Sequence, residues 1–493
     1  MLDDIIKERL KKLEALKAVG VSPYPPVVKR THEIGAARKG FAKLAKSGKK
    51  LSLVGRVWSV RDQGNVAFLD IKDESGEIQA VLKSDTTAKF DVWKKNLDRG
   101  DFVSVTGPLF KTKRGEESID AREIQMVAKS LRPIPTEWYG LEETETRLRK
   151  RYLDLLLNPD LRELFKKKDV FWETFRNFLK KEGFLEVEAP VLESTPGGAE
   201  AEPFKTHMNA LDEDFYLRIS LELPLKKLLV GGYEKVFEIG RIFRNEGIDK
   251  EHLQDYTQLE FYWAYADYNV LMKLVELMYK AVVKATTGGF TTTFGGQKIN
   301  WGKKWDKVDY VESFKKGAGL DPLTASRDDL MKKAKELSAL PGRDLASGGK
   351  LEPEKYAGKG RLIDLIFKKT VRPTLIQPSF LINPPVEAEP LAKRSPKNPQ
   401  VVERFQVMAC GTELGKGFSE LNDPIDQRAR FEEQMKLRQA GDKEAQALDE
   451  SFLEALEYGM PPAAGFGVSE RLFAVLMDKP VRETVIFPLM RKK

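Results

Sequence analysis

The sequence predicts a multidomain α+β protein: a helical arm, a small antiparallel barrel and one large unit mixing helices with strands. Three observations carry that prediction. The chain has 493 residues, and at ~150 residues per domain that length implies about three units. Apolar residues first repeat at helical spacing, and from Leu51 the period changes to two. After a proline-bearing stretch, helical and strand-like segments alternate to the end. A composition of 41% hydrophobic and 32% charged residues is that of a globular chain, so disorder is excluded. One cysteine, Cys410, leaves no disulfide framework and no cysteine-ligated zinc. No apolar run reaches the ~18 residues that a membrane helix needs. The N-terminal MLDDIIKERLKKLEALK lacks the apolar core of a signal peptide, so a cytoplasmic chain is expected. The formal charge of +8 permits a nucleic-acid partner without establishing one.

The elements follow in order. Residues 2–19 read as an amphipathic helix, with Ile6, Leu10, Leu13 and Leu16 on one side and Lys11, Lys12 and Lys17 opposite. The run from Ser22 to Pro26 stops it, because proline has no donor and restricts its predecessor. Residues 27–50 are basic with a helical second half, which completes an arm over 1–50. Between 51 and 135, LSLVGRVWSV, VAFLDIK, IQAVLKS, DFVSVTGPLF and SIDAREIQMVA are strand candidates, with a short helix at FDVWKKNL. Five strands and one helix suit a closed barrel of the oligonucleotide-binding type or a generic small β-domain. In VAFLDIK, Ala67, Leu69 and Ile71 share one face, so Phe68 lies on the polar side with Asp70. An aromatic there offers a base-stacking platform, with Gln79 beside it to read a base edge; the plain alternative is packing under a loop. Lys111, Lys113 and Arg114 add local positive charge. A linker is expected over 136–150 and a single large unit over 151–493. It opens on a helix at 160–182 and the strand GFLEVEAPVL, and ends on a Gly-rich turn entering a helix at AAGFGVSERLFAVL. Residues 285–360 match no readable pattern and are expected to be an insertion.

The densest chemistry lies between Val236 and Tyr268, where two strand-like stretches flank a polar loop with Arg244, Glu246 and His252. An arginine fork can hold a carboxylate and a phosphate together. A carboxylate beside it can accept from an adenine amino group, and Tyr256 offers a stacking face. By themselves such Arg–Glu pairs are more often structural salt bridges.

As a string, however, FRNEG followed by TQLEFY resembles motif 2 of the class II aminoacyl-tRNA synthetases. EGFLEVEAPVL with Pro190 resembles their motif 1, a dimer-interface helix and strand, and GFGVSERL with Arg471 resembles motif 3. Within that class the chain resembles the lysyl-tRNA synthetase family, through TPGGAEAEPF, RISLELPLKKLLVGG, IQPSFL, GFSELNDP and EYGMPPAAGFG in order. The resemblance implies an oligonucleotide-binding (OB-fold) anticodon domain ahead of a class II catalytic domain whose antiparallel sheet is flanked by helices. It implies a homodimer, ATP and L-lysine as substrates, Mg²⁺ and a lysine-specific tRNA as partner. Arg244 would bind the lysine carboxylate and the α-phosphate, and Glu246 and Tyr256 would hold adenine. His252 and Arg471 would orient the outer phosphates. Gly198 and Glu222 would receive the α-amino group, while Glu260, Tyr262 and Glu420 would form the ε-ammonium pocket. Glu413 would ligate Mg²⁺, and Phe68 and Gln79 would read the anticodon. The chemistry is compatible. Displacement at phosphorus needs positioning and charge neutralisation rather than a protein nucleophile, and a desolvated ammonium needs carboxylate partners. Two alternatives remain: the same ligase chemistry on aspartate or asparagine, which would need a cation at the pocket's end, and a non-catalytic RNA-binding relative.

Two positions depart from the family pattern. Gln406 stands where a second metal-binding glutamate is usual, and Lys416 where an asparagine touches substrate. Two unit charges ~4 Å apart at an effective dielectric of ~20 repel by about 4 kcal/mol, so Lys416 facing a bound lysine would defeat selection. It is therefore expected to turn towards Glu413 or the phosphates, where its ammonium would partly replace a Mg²⁺ ion that Gln406 holds less well.

Overall fold

The computed structural model describes residues 2–135, 143–245, 247, 253–338, 358–439 and 445–491. The chain divides into two compact units, Met1–Thr144 and Glu145–Lys493.

In the first unit, α1 (Leu2–Ala18) buries Leu13 and Leu16. The remainder of the expected stripe differs. Leu10 is exposed and Arg9 is buried in its place, because the Arg9 guanidinium donates to the carbonyls of Arg99, Ser130 and Arg132. The lysines are not free either: Lys11 pairs with Glu8, Lys17 with Glu14 and Lys12 with Asp98. Helices α2 (Ile34–Lys39) and α3 (Phe41–Ser47) precede a seven-stranded sheet. Its strands are β1 (Leu51–Asp62), β2 (Val66–Lys72), β3 (Glu77–Lys83), β4 (Phe102–Gly107), β5 (Leu109–Lys111), β6 (Glu117–Asp120) and β7 (Glu123–Ala128), with α4 (Phe90–Asn96) after β3. Two of the five expected strands are split. At Pro108, which has no N–H for a ladder, the chain leaves β4 beside β1 and joins β6 as β5.

Helix α5 (Thr144–Arg149) starts on the last residue of the first unit, and α6 (Arg151–Leu157) and α7 (Pro159–Lys181) follow it in the second. The buried Arg151 bonds Asp154 and the carbonyls of Glu483, Val485 and Ile486, fastening the C-terminal segment. The expected strand GFLEVEAPVL is only two fragments, β8 (Leu185–Glu186) and β9 (Leu192–Glu193), which join different sheets. Between them side chains take the backbone groups: Glu238 accepts from the Ala189 N–H, and Arg218 donates to the Ala189 carbonyl. There follow β10 (Lys205–Met208), β11 (Glu213–Leu217), α8 (Glu222–Val230), β12 (Lys235–Phe243), β13 (Asp255–Ala264) and α9 (Tyr268–Thr287). Asp267 caps α9, accepting from the N–H groups of Asn269 and Val270. The unread insertion holds a hairpin of β14 (Thr291–Phe294) and β15 (Gln297–Asn300), then β16 (Asp306–Asp309), α10 (Tyr310–Ala318) and α11 (Arg327–Ser338); 339–357 lie outside the described residues. The chain closes with α12 (Lys359–Thr370), β17 (Ser379–Ile382), β18 (Arg404–Ala409), β19 (Thr412–Ser419), α13 (Pro424–Gln439), α14 (Glu450–Glu457), β20 (Ala463–Ser469) and α15 (Arg471–Leu476).

One eight-stranded sheet, in the order β16-β17-β18-β19-β20-β13-β12-β8, organises this unit. All its pairings are antiparallel except β16 with β17 and β12 with β8. AAGFG, expected as a turn, is instead β20, at the centre between β13 and β19. Its glycines suit close approach: a Cβ on Gly465 would run into the Tyr262 ring and Glu420. Strand alternation decides what each face does. Phe237, Leu259, Phe261 and Phe466 point to a core with α7 and α9, while Val236 and Tyr262 point to another beneath α8 and α14.

Candidate functional site

The second face of the sheet carries a polar cavity of about 380 Å³. Its floor is set by register. Gln406 on β18 lies opposite Lys416 on β19, Lys416 opposite Gly467 on β20, and Gly467 opposite Glu260 on β13. Residues directly opposite share a face, so one row across the sheet presents an amide, an ammonium, a gap and a carboxylate.

At the carboxylate end Glu260 is held from several sides. Its Oε1 accepts from Ser220 Oγ at 2.7 Å, the Leu221 N–H at 3.0 Å and Gln258 Nε2 at 2.6 Å, and its Oε2 from the Tyr262 hydroxyl at 2.9 Å. An acceptor-only pattern of this kind suits the ionised carboxylate. Glu222, the first residue of α8, is buried at the cavity wall. Burial lifts its carboxyl to about 7 against the attraction of Lys226. Gly198 stands against it at φ 82°, and a Cβ there would come within 2.9 Å of the Glu222 Cβ, so only glycine brings this backbone so close. Glu420, buried to 1%, is not among the cavity-lining residues; it stands behind Tyr262 and Gly465, paired with Lys226.

Arginines line the same cavity as well. Arg244 follows β12, its Nε donating to the Ile219 carbonyl at 3.2 Å and its guanidinium lying 5.7 Å from the Tyr256 ring centroid. Arg471, at the start of α15, lines the same cavity. The expected adenine and phosphate residues Glu246 and His252 lie outside the described residues. Gln406 donates its amide to Glu413 Oε2 at 2.6 Å. Among the described residues no group of three His, Cys, Asp or Glu side chains could hold a metal by itself.

Lys416 corrects the sequence expectation. It bonds Glu389 at 2.8 Å rather than Glu413, and Arg404 reaches the same carboxylate at 3.5 Å. Burial would raise the Glu389 carboxyl, but Lys416 and Arg404 outweigh it and hold it low. Glu389 therefore offsets only one of the two charges of Lys416 and Arg404, so net positive charge remains in this group.

Sequence reasoning missed Lys226, Glu389 and the wall that α12 contributes. That wall includes Arg361, which pairs with Glu200 at 3.0 Å, and Asp364, which pairs with Lys368 at 2.7 Å. Lys226 carries a local signal, because it follows Glu222 by one helical turn. Glu389 carries none, being 27 residues from its partner.

In the first unit, Phe68 and Gln79 sit diagonally on adjacent strands of one face, since Gln79 is opposite Asp70 and Phe68 opposite Val81. Both are half-buried, Arg61 faces Phe68 across β1, and Gln79 accepts from Ser118 Oγ at 3.2 Å.

Comparisons with known proteins cover both units. Residues 143–491 match the tRNA synthetases class II (D, K and N), and residues 51–134 match the OB-fold nucleic acid binding domain. Across its full length the chain is 44% identical to a lysine–tRNA ligase of Moorella thermoacetica, covering 98% of that protein. It is 43% identical to one of Roseiflexus castenholzii and 41% to one of Thermotoga maritima, covering 99% and 97% of them with the whole of this chain.

Proposed function

The chain belongs to the lysine–tRNA ligase family of class II synthetases, and from that premise we propose that it is a lysine–tRNA ligase: its cavity activates L-lysine with ATP and passes the lysyl group to the 3′-terminal ribose of a lysine-specific tRNA. The observation that carries this reading is one cavity lined both by the carboxylates Glu222 and Glu260 and by the arginines Arg244 and Arg471. A lysine laid between them has its ammonium groups at Gly198, Glu222, Glu260 and Tyr262, with Glu420 adding charge from behind, and its carboxylate at Arg244.

The carboxylate oxygen then attacks the α-phosphorus and pyrophosphate leaves. Arg244 contacts both reacting groups and stabilises charge that builds between them, a preorganised electrostatic role. Tyr256 stacks on adenine, Glu246 accepts from its amino group, and His252 and Arg471 orient the outer phosphates. Mg²⁺ is ordinarily held by one or two carboxylates together with substrate phosphates. Glu413 is such a carboxylate, and Gln406, hydrogen-bonded to it, adds a neutral amide; the residues therefore fit a single ion that would be held mainly by Glu413. When bound, that ion neutralises phosphate charge. In the first unit, Phe68 stacks on an anticodon base and Gln79 reads a base edge, and the active form is a cytoplasmic homodimer.

Pyrophosphate exchange with each amino acid, followed by charging of a lysine tRNA, tests the reading. Lysine-dependent exchange and charged tRNA are expected. Exchange with aspartate or asparagine instead, or no adenylate at all, would overturn it.

A further inference from the structure

Lys226 has no exposed side-chain surface, yet nothing in lysine–ATP chemistry as described above uses it. Its ammonium pairs with Glu222 Oε1 at 2.5 Å and also with Glu420. Three rings enclose it: Phe418 on β19, Tyr262 on β13 and Phe452 on α14, with centroids 5.4, 6.0 and 5.9 Å away. Burial disfavours the ammonium, but the two carboxylates outweigh it and hold the proton more tightly than usual. This is a fixed ammonium in surroundings that would equally suit a lysine substrate: carboxylates in front and aromatic faces around.

Close ion pairs occupy several neighbouring charges: Glu238 is held by Arg218 at 2.7 Å, and Glu389 by both Lys416 and Arg404. Glu260 is held by neutral donors, from Ser220, Leu221, Gln258 and Tyr262, whereas Glu222 and Glu420 share the Lys226 ammonium. Burial pushes both of these carboxyls up, and Lys226 works against that at each. Three carboxylates thus cluster around one ammonium, and a diamino acid brings that cluster a second cationic group that a monoamino acid lacks.

We infer that Lys226 is a positioning residue of the lysine subsite, offsetting carboxylate charge and fixing Glu222 and Glu420 relative to each other so that the cluster favours a substrate with a second ammonium group. This rests on the ligase reading above and deepens it. Lys226 touches no substrate; it acts through the two glutamates. Both come from different parts of the chain, one opening α8 and one following β19, and the ammonium is the direct link between them.

The test uses the full chain with K226M, which keeps an unbranched side chain without the charge, and with K226A supplied with propylammonium chloride. In pyrophosphate exchange, K226M should raise the lysine KM by at least about tenfold while the ATP KM stays within about twofold. Propylammonium, but not propanol, should restore the lysine KM of K226A. An unchanged lysine KM in K226M overturns the proposal, as does a loss shared equally by lysine and ATP without recovery in propylammonium. Failure of both variants to fold, with no recovery in the amine, would make Lys226 a fold residue and overturn it too. A wild-type chain that forms no lysyl-adenylate instead fails the ligase reading, so the two failures are distinct.

Discussion

Glu222 is the residue on which pH should act. Burial holds its carboxyl at about 7, so below that value it takes up a proton and loses its attraction for a cation; above it, the carboxylate is available. Lysine affinity should therefore fall on acidification. The lysine KM is expected to rise about fivefold from pH 7 to pH 6 and to level off above pH 8, with the ATP KM flat, in exchange assays across that range. Lys416 acts beside Gln406. Anchored by Glu389 beside Gln406 and Glu413, it supplies permanent positive charge where Glu413 is expected to share the phosphates with Mg²⁺. Lys416→Asn should weaken ATP binding by roughly tenfold, or about 1.4 kcal/mol, at low Mg²⁺ and much less at saturating Mg²⁺. Calorimetric titration of ATP at graded Mg²⁺ checks this, and identical profiles for both chains would refute it.

At the scale of elements, β20 bears the tightest constraint. Its glycines let β13 and β19 bring Tyr262 and Glu420 together, and a methyl group at Gly465 meets both. Gly465→Ala should cost about 1–3 kcal/mol of stability from overpacking, read as a lowered urea midpoint, and should raise the lysine KM as well. The difference between reading AAGFG as a turn and finding it as a central strand has the same cause. Glycine marks turns in a single sequence, and only the neighbouring strands reveal that here it makes room. Where the pattern was local, the sequence was legible: the alternation of Ala67, Leu69 and Ile71, the helix over Pro159–Lys181, and the paired stretches around Arg244 all have structural counterparts. What escaped were partnerships across the fold. Lys416 turned to Glu389, Lys226 joined Glu222 to Glu420, and Leu10 yielded the buried face of α1 to Arg9 because distant carbonyls receive the guanidinium.

For the whole molecule, the division into Met1–Thr144 and Glu145–Lys493 separates two kinds of defect. Phe68 lies in the first unit and the cavity in the second. Phe68→Ala should remove one stacked base, worth about 1–3 kcal/mol. That is roughly a tenfold or larger rise in the tRNA KM, with lysine-dependent exchange unchanged. Aminoacylation and exchange measured on the same preparation separate the outcomes, and equal losses in both would contradict the assignment. The lysines of α1 contribute less than their number suggests, since Lys11, Lys12 and Lys17 each already hold a carboxylate. Exposed pairs such as the first and third are weak.

The alternation along β13 has a consequence for redesign. Leu259 and Phe261 belong to the core under α7 and α9, while Glu260 and Tyr262 face the cavity. Substitutions along this strand should therefore sort by parity: those at Leu259 and Phe261 should act mainly on stability, and those at Gln258 and Glu260 mainly on what the cavity accepts, with Tyr262 serving both because it also packs in the second core. A library that varied Gln258 and Glu260 while keeping Tyr262 would explore new substrates with both cores left in place.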